Sequence, residues 1–155
     1  MRAIVLCACV GLAGCFLDNA SAGKQLSDAV TEMNKATRWG QMNLAAQMVE
    51  PVYRPQFVTN HAQWGSRVQV ADSEIVHIEM AEGEDNAVAM IVYQWYETEA
   101  MTLHQSVVRQ RWAREGEGYA LLSETIVQGD ARLFAEAPGS GKPEPVHDPM
   151  IGNAD

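Results

Sequence analysis

Between Lys24 and Arg38 the apolar residues Leu26, Ala29, Val30, Met33 and Ala36 recur at steps of three and four. That period predicts a helix with a single apolar stripe. Met42, Ala45, Ala46 and Val49 predict a second, short helix that Pro51 ends, because proline disfavours helical geometry in the residue before it and has no N–H to donate. Pro55 suits the first turn of a third helix carrying Phe57, Val58, Ala62 and Trp64 up to Gly65. From Val68 the period changes. Val68 to Met80, Ala87 to Glu97, Met101 to Arg114 and Tyr119 to Val127 are rich in valine, isoleucine and aromatics and read as strands. The breaks between them, Glu82-Gly83-Glu84-Asp85-Asn86, Thr98-Glu99-Ala100 and Glu115-Gly116-Glu117-Gly118, are too short for parallel crossovers, so neighbouring strands run antiparallel. Helices followed by a meander of about four strands predict an α+β fold, with the N-terminal helices packed on one face of a curved antiparallel sheet.

The links also suggest a register. With Glu99-Ala100 at a hairpin tip, Trp95 faces His104, Tyr93 faces Ser106, Ile91 faces Val108 and Ala87 faces Trp112. Pairing Arg114 with Tyr119 then sets Trp112 against Leu121, Gln110 against Ser123 and Val108 against Thr125. The opposite face carries Val88, Met90, Val92, Leu103, Val107, Leu122 and Ile126, with Arg109 across from Glu124 as a favourable cross-strand pair. One β-bulge would shift this assignment along part of a strand.

The ends of the chain differ from its body. Met1-Arg2, the apolar run Ala3 to Leu12 and the small residues Ala13-Gly14 before Cys15 have the layout of a secretory leader, and the run is too short to span a bilayer. Leu12-Ala13-Gly14-Cys15 resembles the lipobox of bacterial lipoproteins at all four positions. The resemblance implies a signal peptide over 1–14, a diacylglyceryl thioether on Cys15 and acylation of the new amino terminus, with two or three chains holding the domain stably on a membrane. It also implies a place in the bacterial cell envelope, where Phe16 in place of an aspartate after the lipidated cysteine favours the outer membrane, facing the periplasm. Cys7 and Cys9 leave with the leader, so the mature chain keeps no disulfide and depends on an ordinary core. Residues 15–23 read as lipidated cysteine and tether, 24–134 as the folded domain, and 135–155, with four of the six prolines, as a disordered tail.

Composition narrows the function classes. A hydrophobic content of 47% excludes a wholly disordered chain, and a formal charge of −9 argues against nonspecific binding to nucleic acid or anionic headgroups. His61, His77, His104 and His147 show no metal-ligand spacing, and Glu79, Glu82, Glu84 and Asp85 lack the pattern of a calcium loop, so neither metal nor cofactor is expected. No Gly-x-Ser-x-Gly elbow or glycine-rich phosphate loop is present.

The three helices, the long antiparallel strands, and Gln110-Arg111-Trp112 followed by Gly118-Tyr119-Ala120-Leu121-Leu122 resemble the nuclear-transport-factor-like superfamily, the cone-shaped fold of ketosteroid isomerase and scytalone dehydratase. The resemblance implies a pocket between the helices and the sheet. On the face proposed to line it, Tyr93, Trp95, His104, Gln110 and Trp112 are candidate ligand-binding residues, and His104 with Tyr93 is a candidate base and hydrogen-bond donor for enolisation or dehydration. No acidic residue falls on that face in the proposed register. Two readings follow. In the first, the domain is a noncatalytic binding or interaction module; in the second, it is a small-molecule isomerase or dehydratase. A cone filled by Trp95, Trp112, Met33 and Phe57 would speak for the first. A further expectation concerns the opposite face, whose Val88, Met90, Val92, Leu103, Val107 and Ile126 call for a covering surface: a second copy of the chain, a protein partner, or the segment Ala131 to Phe134 folded back.

Overall fold

Ser21 caps the first helix, its hydroxyl accepting from the Lys24 amide at 3.4 Å, in a computed structural model that describes residues 21–135. The leader, Cys15 and residues 136–155 of the expected tail lie outside the described residues. With a serine N-cap in place, α1 spans Ala22–Arg38, so Ala22 and Gly23, expected in the tether, belong to the helix. Its stripe buries Leu26, Val30 and Met33 completely, and two polar residues, Asn34 and Thr37, go in with them. The second stripe forms α2 (Met42–Ala45) continued by a 3-10 turn, Ala46–Met48. In α3 (Arg54–Asn60) Pro55 occupies the first turn as expected, but the helix ends at Asn60 and turns carry the chain past Gly65.

The strands β1 (Val68–Met80), β2 (Asn86–Glu97), β3 (Leu103–Glu115) and β4 (Gly118–Gly129) form one antiparallel sheet in chain order. β2 and β3 pair in the expected register, with Trp95 opposite His104 and Tyr93 opposite Ser106. On β4 the expected register holds through Arg114–Tyr119 and Trp112–Leu121 and then slips. A bulge after Leu121 adds one residue, Leu122, so Arg111 faces Ser123 and Gln110 faces Glu124; Val108 faces Ile126 and Arg109 faces Thr125. The Arg109–Glu124 cross-strand pair is therefore not formed. Because side chains alternate between faces, the single extra residue moves Glu124 from the open face to the core face.

The helices cover the face that carries Ala87, Ala89, Ile91, Tyr93 and Trp95 of β2 and Ser106, Val108, Gln110 and Trp112 of β3, all buried. On the open face Val88, Met90, Val92 and Val107 are half-buried and Leu103 is 60% exposed. Ile126, expected among them, packs against the core because the bulge turns it over.

A bulge on β1 also serves a tertiary contact. It leaves Ala71 out of register, and the Ala71 carbonyl accepts from the Arg38 guanidinium at 2.7 Å, which pairs with Asp72 at 2.8 Å and ties the end of α1 to the edge strand. At the end of β4, Gly129 has φ +90° and lies against the Gln105 and Ser106 backbone, where any Cβ would collide with the Gln105 carbonyl. The chain then turns through a 3-10 segment, Ala131–Leu133, toward the helices and away from the open face. Leu133 is fully buried, its carbonyl accepts from Trp64 Nε1 at 2.8 Å, and Ala135 N donates to Asn60 O at 2.9 Å. This segment closes the helix side of the core, so it does not cover the apolar strip of β2 and β3. Its path follows from Leu133 and Phe134, which find their apolar neighbours beside Trp64 and His61.

Candidate functional site

Seven polar side chains from five parts of the chain meet between the helices and the sheet. Asn34 of α1 and Gln110 of β3 exchange amide hydrogen bonds: Asn34 Nδ2 donates to Gln110 Oε1 at 3.1 Å and Gln110 Nε2 donates to Asn34 Oδ1 at 3.0 Å. Asn34 Nδ2 also donates to the Val30 carbonyl at 2.7 Å, which fixes the amide against its own helix. The Tyr93 hydroxyl donates to Asn34 Oδ1. Gln110 Nε2 reaches on to Glu124 Oε1 at 3.0 Å. From the helix side, the Tyr53 hydroxyl accepts from the Glu124 amide at 3.0 Å and from Asn60 Nδ2 at 3.1 Å. Buried polar groups are costly unless paired, and this network pairs most of its own.

Its unpaired end is an acid facing a base. Glu124 Oε2 lies 3.6 Å from His61 Nε2, both side chains are essentially without exposed surface, and neither atom has a hydrogen-bond partner. His61 follows α3 directly and its Nδ1 lies 2.8 Å from the Phe57 carbonyl. A carbonyl only accepts, so Nδ1 carries the ring proton and Nε2 is left as an acceptor. Burial lowers the His61 pKa to about 4, partly offset by the Phe57 carbonyl. Burial also raises the Glu124 carboxyl to about 8, partly offset by the Gln110 donor. Between those values both groups are neutral. Gln110 then satisfies Oε1, and a carboxylic proton carried on Oε2 would face the bare Nε2.

The two phenols beside Glu124 do not compete for protons in that range. Burial and the nearby Glu124 carboxylate push Tyr53 up to about 12 and hold Tyr93 well above its ordinary value. On the other side of His61 a recess of about 250 Å³ opens between α2 and α3, lined by Met42, Ala46, Phe57, Val58, Ala62 and Trp64 among others. The His61 ring is held there between Phe57, with centroids 4.2 Å apart, and Trp64, edge-on at 4.4 Å.

The residues singled out from the sequence divide between this network and the rim. Tyr93 and Gln110 are in the network, and Trp95 and Trp112 are fully buried. His104 lies at the edge of the core, stacked on Trp95 at 4.7 Å, with Nδ1 3.3 Å from Asp130 Oδ2. The Arg132 guanidinium, bonded to the same carboxylate, holds Asp130 below its ordinary pKa. Tyr93 and His104 thus have separate partners and do not form an acid–base pair. Trp95 in turn donates from Nε1 to Ser106 Oγ at 3.0 Å, and Ser106 donates to the Asp130 carbonyl at 2.8 Å.

The expectation that the core face holds no acid is overturned by Glu124, which the bulge at Leu122 delivers. Along the sequence His61 lacks metal-ligand spacing, and its place at the end of a short helix carries no signal of what it faces. Met33, Phe57, Trp95 and Trp112, the side chains able to fill the interior, all have no exposed surface. Among the described residues, no three His, Cys, Asp or Glu side chains come together as a metal site, and no helix is long and apolar enough to cross a membrane. No family model, curated protein or solved structure matches this chain.

Proposed function

We propose that this chain is a lipid-anchored lipoprotein of the bacterial cell envelope, carrying at its exocytoplasmic face a noncatalytic interaction module with the cone-like fold of the nuclear-transport-factor-like superfamily. The anchor rests on the lipobox, Leu12-Ala13-Gly14-Cys15. The noncatalytic reading rests on one observation: the space between helices and sheet is filled by Met33, Phe57, Trp95 and Trp112, and the atoms of the Glu124–His61 pair that face each other have no exposed surface. The recess behind His61 is lined by His61 and not by Glu124, so a substrate there would not meet the acid and the base together. Interaction then falls to the outside of the domain, where the strip of Val88, Met90, Val92 and Val107 offers apolar surface on the open side of the sheet. A second copy of the chain or a protein partner is the occupant suited to it.

Replacing Cys15 with Ala should move the protein from the membrane to the soluble fraction and abolish labelling with palmitate; continued fractionation with membranes and continued labelling would overturn the anchor. Light scattering of that soluble form should show a dimer at micromolar concentration if the strip pairs with itself. A monomer there, together with a heteromeric mass from native mass spectrometry of material drawn from the envelope, points to a different protein on the same surface. Retention of a small molecule inside the domain would count against the noncatalytic reading.

A further inference from the structure

We propose that the Glu124–His61 pair is a proton-operated latch: the carboxylic proton between them holds α3 against β4, and its loss loosens α3 and widens the recess behind His61. The geometry is specific. His61 is coupled to α3 twice, by its amide to the Phe57 carbonyl at 3.1 Å and by its ring Nδ1 to the same oxygen at 2.8 Å, so the ring cannot leave Glu124 without the end of the helix. Oε2 and Nε2 face each other at 3.6 Å with no other partner. At 3.6 Å the two atoms lie just beyond hydrogen-bond distance, close enough in a buried site that a donor facing an acceptor attracts and two acceptors repel.

Removing the proton turns this contact into one acceptor facing another. The carboxylate would keep one side-chain donor, Gln110, and the charged and titratable groups around it supply no cation. α1 presents Asn34, which is neutral and reaches Glu124 only through Gln110. β2 presents Tyr93, β3 presents Gln110, and the start of α3 presents Tyr53, with both phenols held neutral. Arg54, next to Tyr53, donates instead to the Val49 carbonyl at 3.0 Å. Arg109 and Arg111 are exposed, on the open face of β3. Phe134, from the segment after β4, contributes only an aromatic ring against His61.

A buried, unpaired carboxylate is stabilised only by admitting water or a counter-charge. The recess behind His61 is the route, because it already reaches the imidazole and has ample room for several waters. Strands β2 and β3, joined by a continuous ladder, would stay in place while α3 parts from β4.

Two measurements on the purified protein test the latch. The Glu124 carboxyl carbon, followed by NMR in glutamate-labelled protein, should titrate near pH 8; a midpoint at the ordinary carboxylate value overturns the proposal. Hydrogen-exchange protection factors of the α3 amides should fall at least tenfold between pH 6 and 9.5 with the same midpoint, while those of β2 and β3 stay constant. In Glu124→Gln, whose amide keeps an acceptor for Gln110 and a permanent donor for His61, the α3 protection should be flat with pH. Constant protection in the wild-type protein, an equal fall in every element, or an unchanged fall in E124Q would each overturn it. Should E124Q fail to fold, the wild-type titration and protection profile decide between these outcomes alone.

Discussion

Gln110 Nε2 donates to Glu124 Oε1 at 3.0 Å across the β3–β4 ladder, and the pair exists only because Leu122 is an extra residue on β4. Through this bond the acid is connected to Asn34 and Tyr93, and through its other oxygen it faces His61. Substitutions and pH changes that act on the domain's stability should therefore be felt at this junction.

Stability should be greatest between about pH 4.5 and 6.5 and decline on either side. The Glu124 pKa rises on folding from 4.5 to about 8, so its contribution is complete below 4.5 and is lost as pH rises through 8. The His61 pKa falls on folding from 6.5 to about 4, so its contribution is complete above 6.5 and is lost as pH falls through 4. Between 4.5 and 6.5 the two slopes oppose each other. From 6.5 to 8 only Glu124 acts, and about 2 kcal/mol should disappear at 1.36 kcal/mol per pH unit. Urea unfolding at a series of pH values should trace this curve, and E124Q should remove its alkaline arm.

Substitutions in the network should rank by how many polar atoms they leave unpaired. Tyr93→Phe removes one donor while Asn34 Oδ1 still accepts from Gln110, so its cost should be about 1 kcal/mol. Gln110→Leu strips partners from Asn34 and from Glu124 together and should cost about 3 kcal/mol or more. It should also raise the Glu124 pKa further, because the Gln110 donor is what favours the carboxylate. Chemical denaturation gives the ranking, and the carboxyl titration of Q110L gives the shift.

Gly129→Ala should destabilise more than an ordinary glycine-to-alanine change. The new methyl group needs an unfavourable positive φ and also meets the Gln105 carbonyl, a backbone atom that cannot swing aside. A loss of at least about 2 kcal/mol is expected, combining backbone strain with overpacking. The midpoint of thermal unfolding checks it.

Leu133→Ala should cost about 2–5 kcal/mol, the range for emptying a fully buried leucine site. Because the Leu133 carbonyl accepts from Trp64 Nε1, loosening the segment should also change the emission of Trp64 before global unfolding. A variant with wild-type stability and unchanged fluorescence would mean that the 131–135 segment adds little to the core.

The strand bounds were legible because each run of valine, isoleucine and aromatics is long and each break is rich in glycine or acids. The hairpin register of β2 and β3 followed from the Glu99-Ala100 tip, and the observed pairs from Trp95–His104 to Ala87–Trp112 agree with it. The short helices were legible in position but not in length: α3 stops at Asn60 although the apolar spacing continues to Trp64, because His61 and Trp64 serve the core from turns. The candidate residues divided similarly. Alternation puts Tyr93 and Gln110 on the core face, whereas His104, on the same face, lies at the start of β3 and emerges at the rim beside Asp130.

By itself the sequence determined the α+β order, the antiparallel meander and which alternate residues of β2 and β3 turn inward, since these depend on local period and on the length of links. Tertiary structure alone decided that Glu124 and His61 meet. A bulge is one residue of geometry with no compositional mark, and Leu122 is the same residue as Leu121 before it, so nothing along the chain announces that the strand slips there. Nor does local pattern reveal that a histidine after a short helix, 63 positions before the glutamate, will share its burial; that follows only when the helix is laid on the sheet and both side chains lose water together.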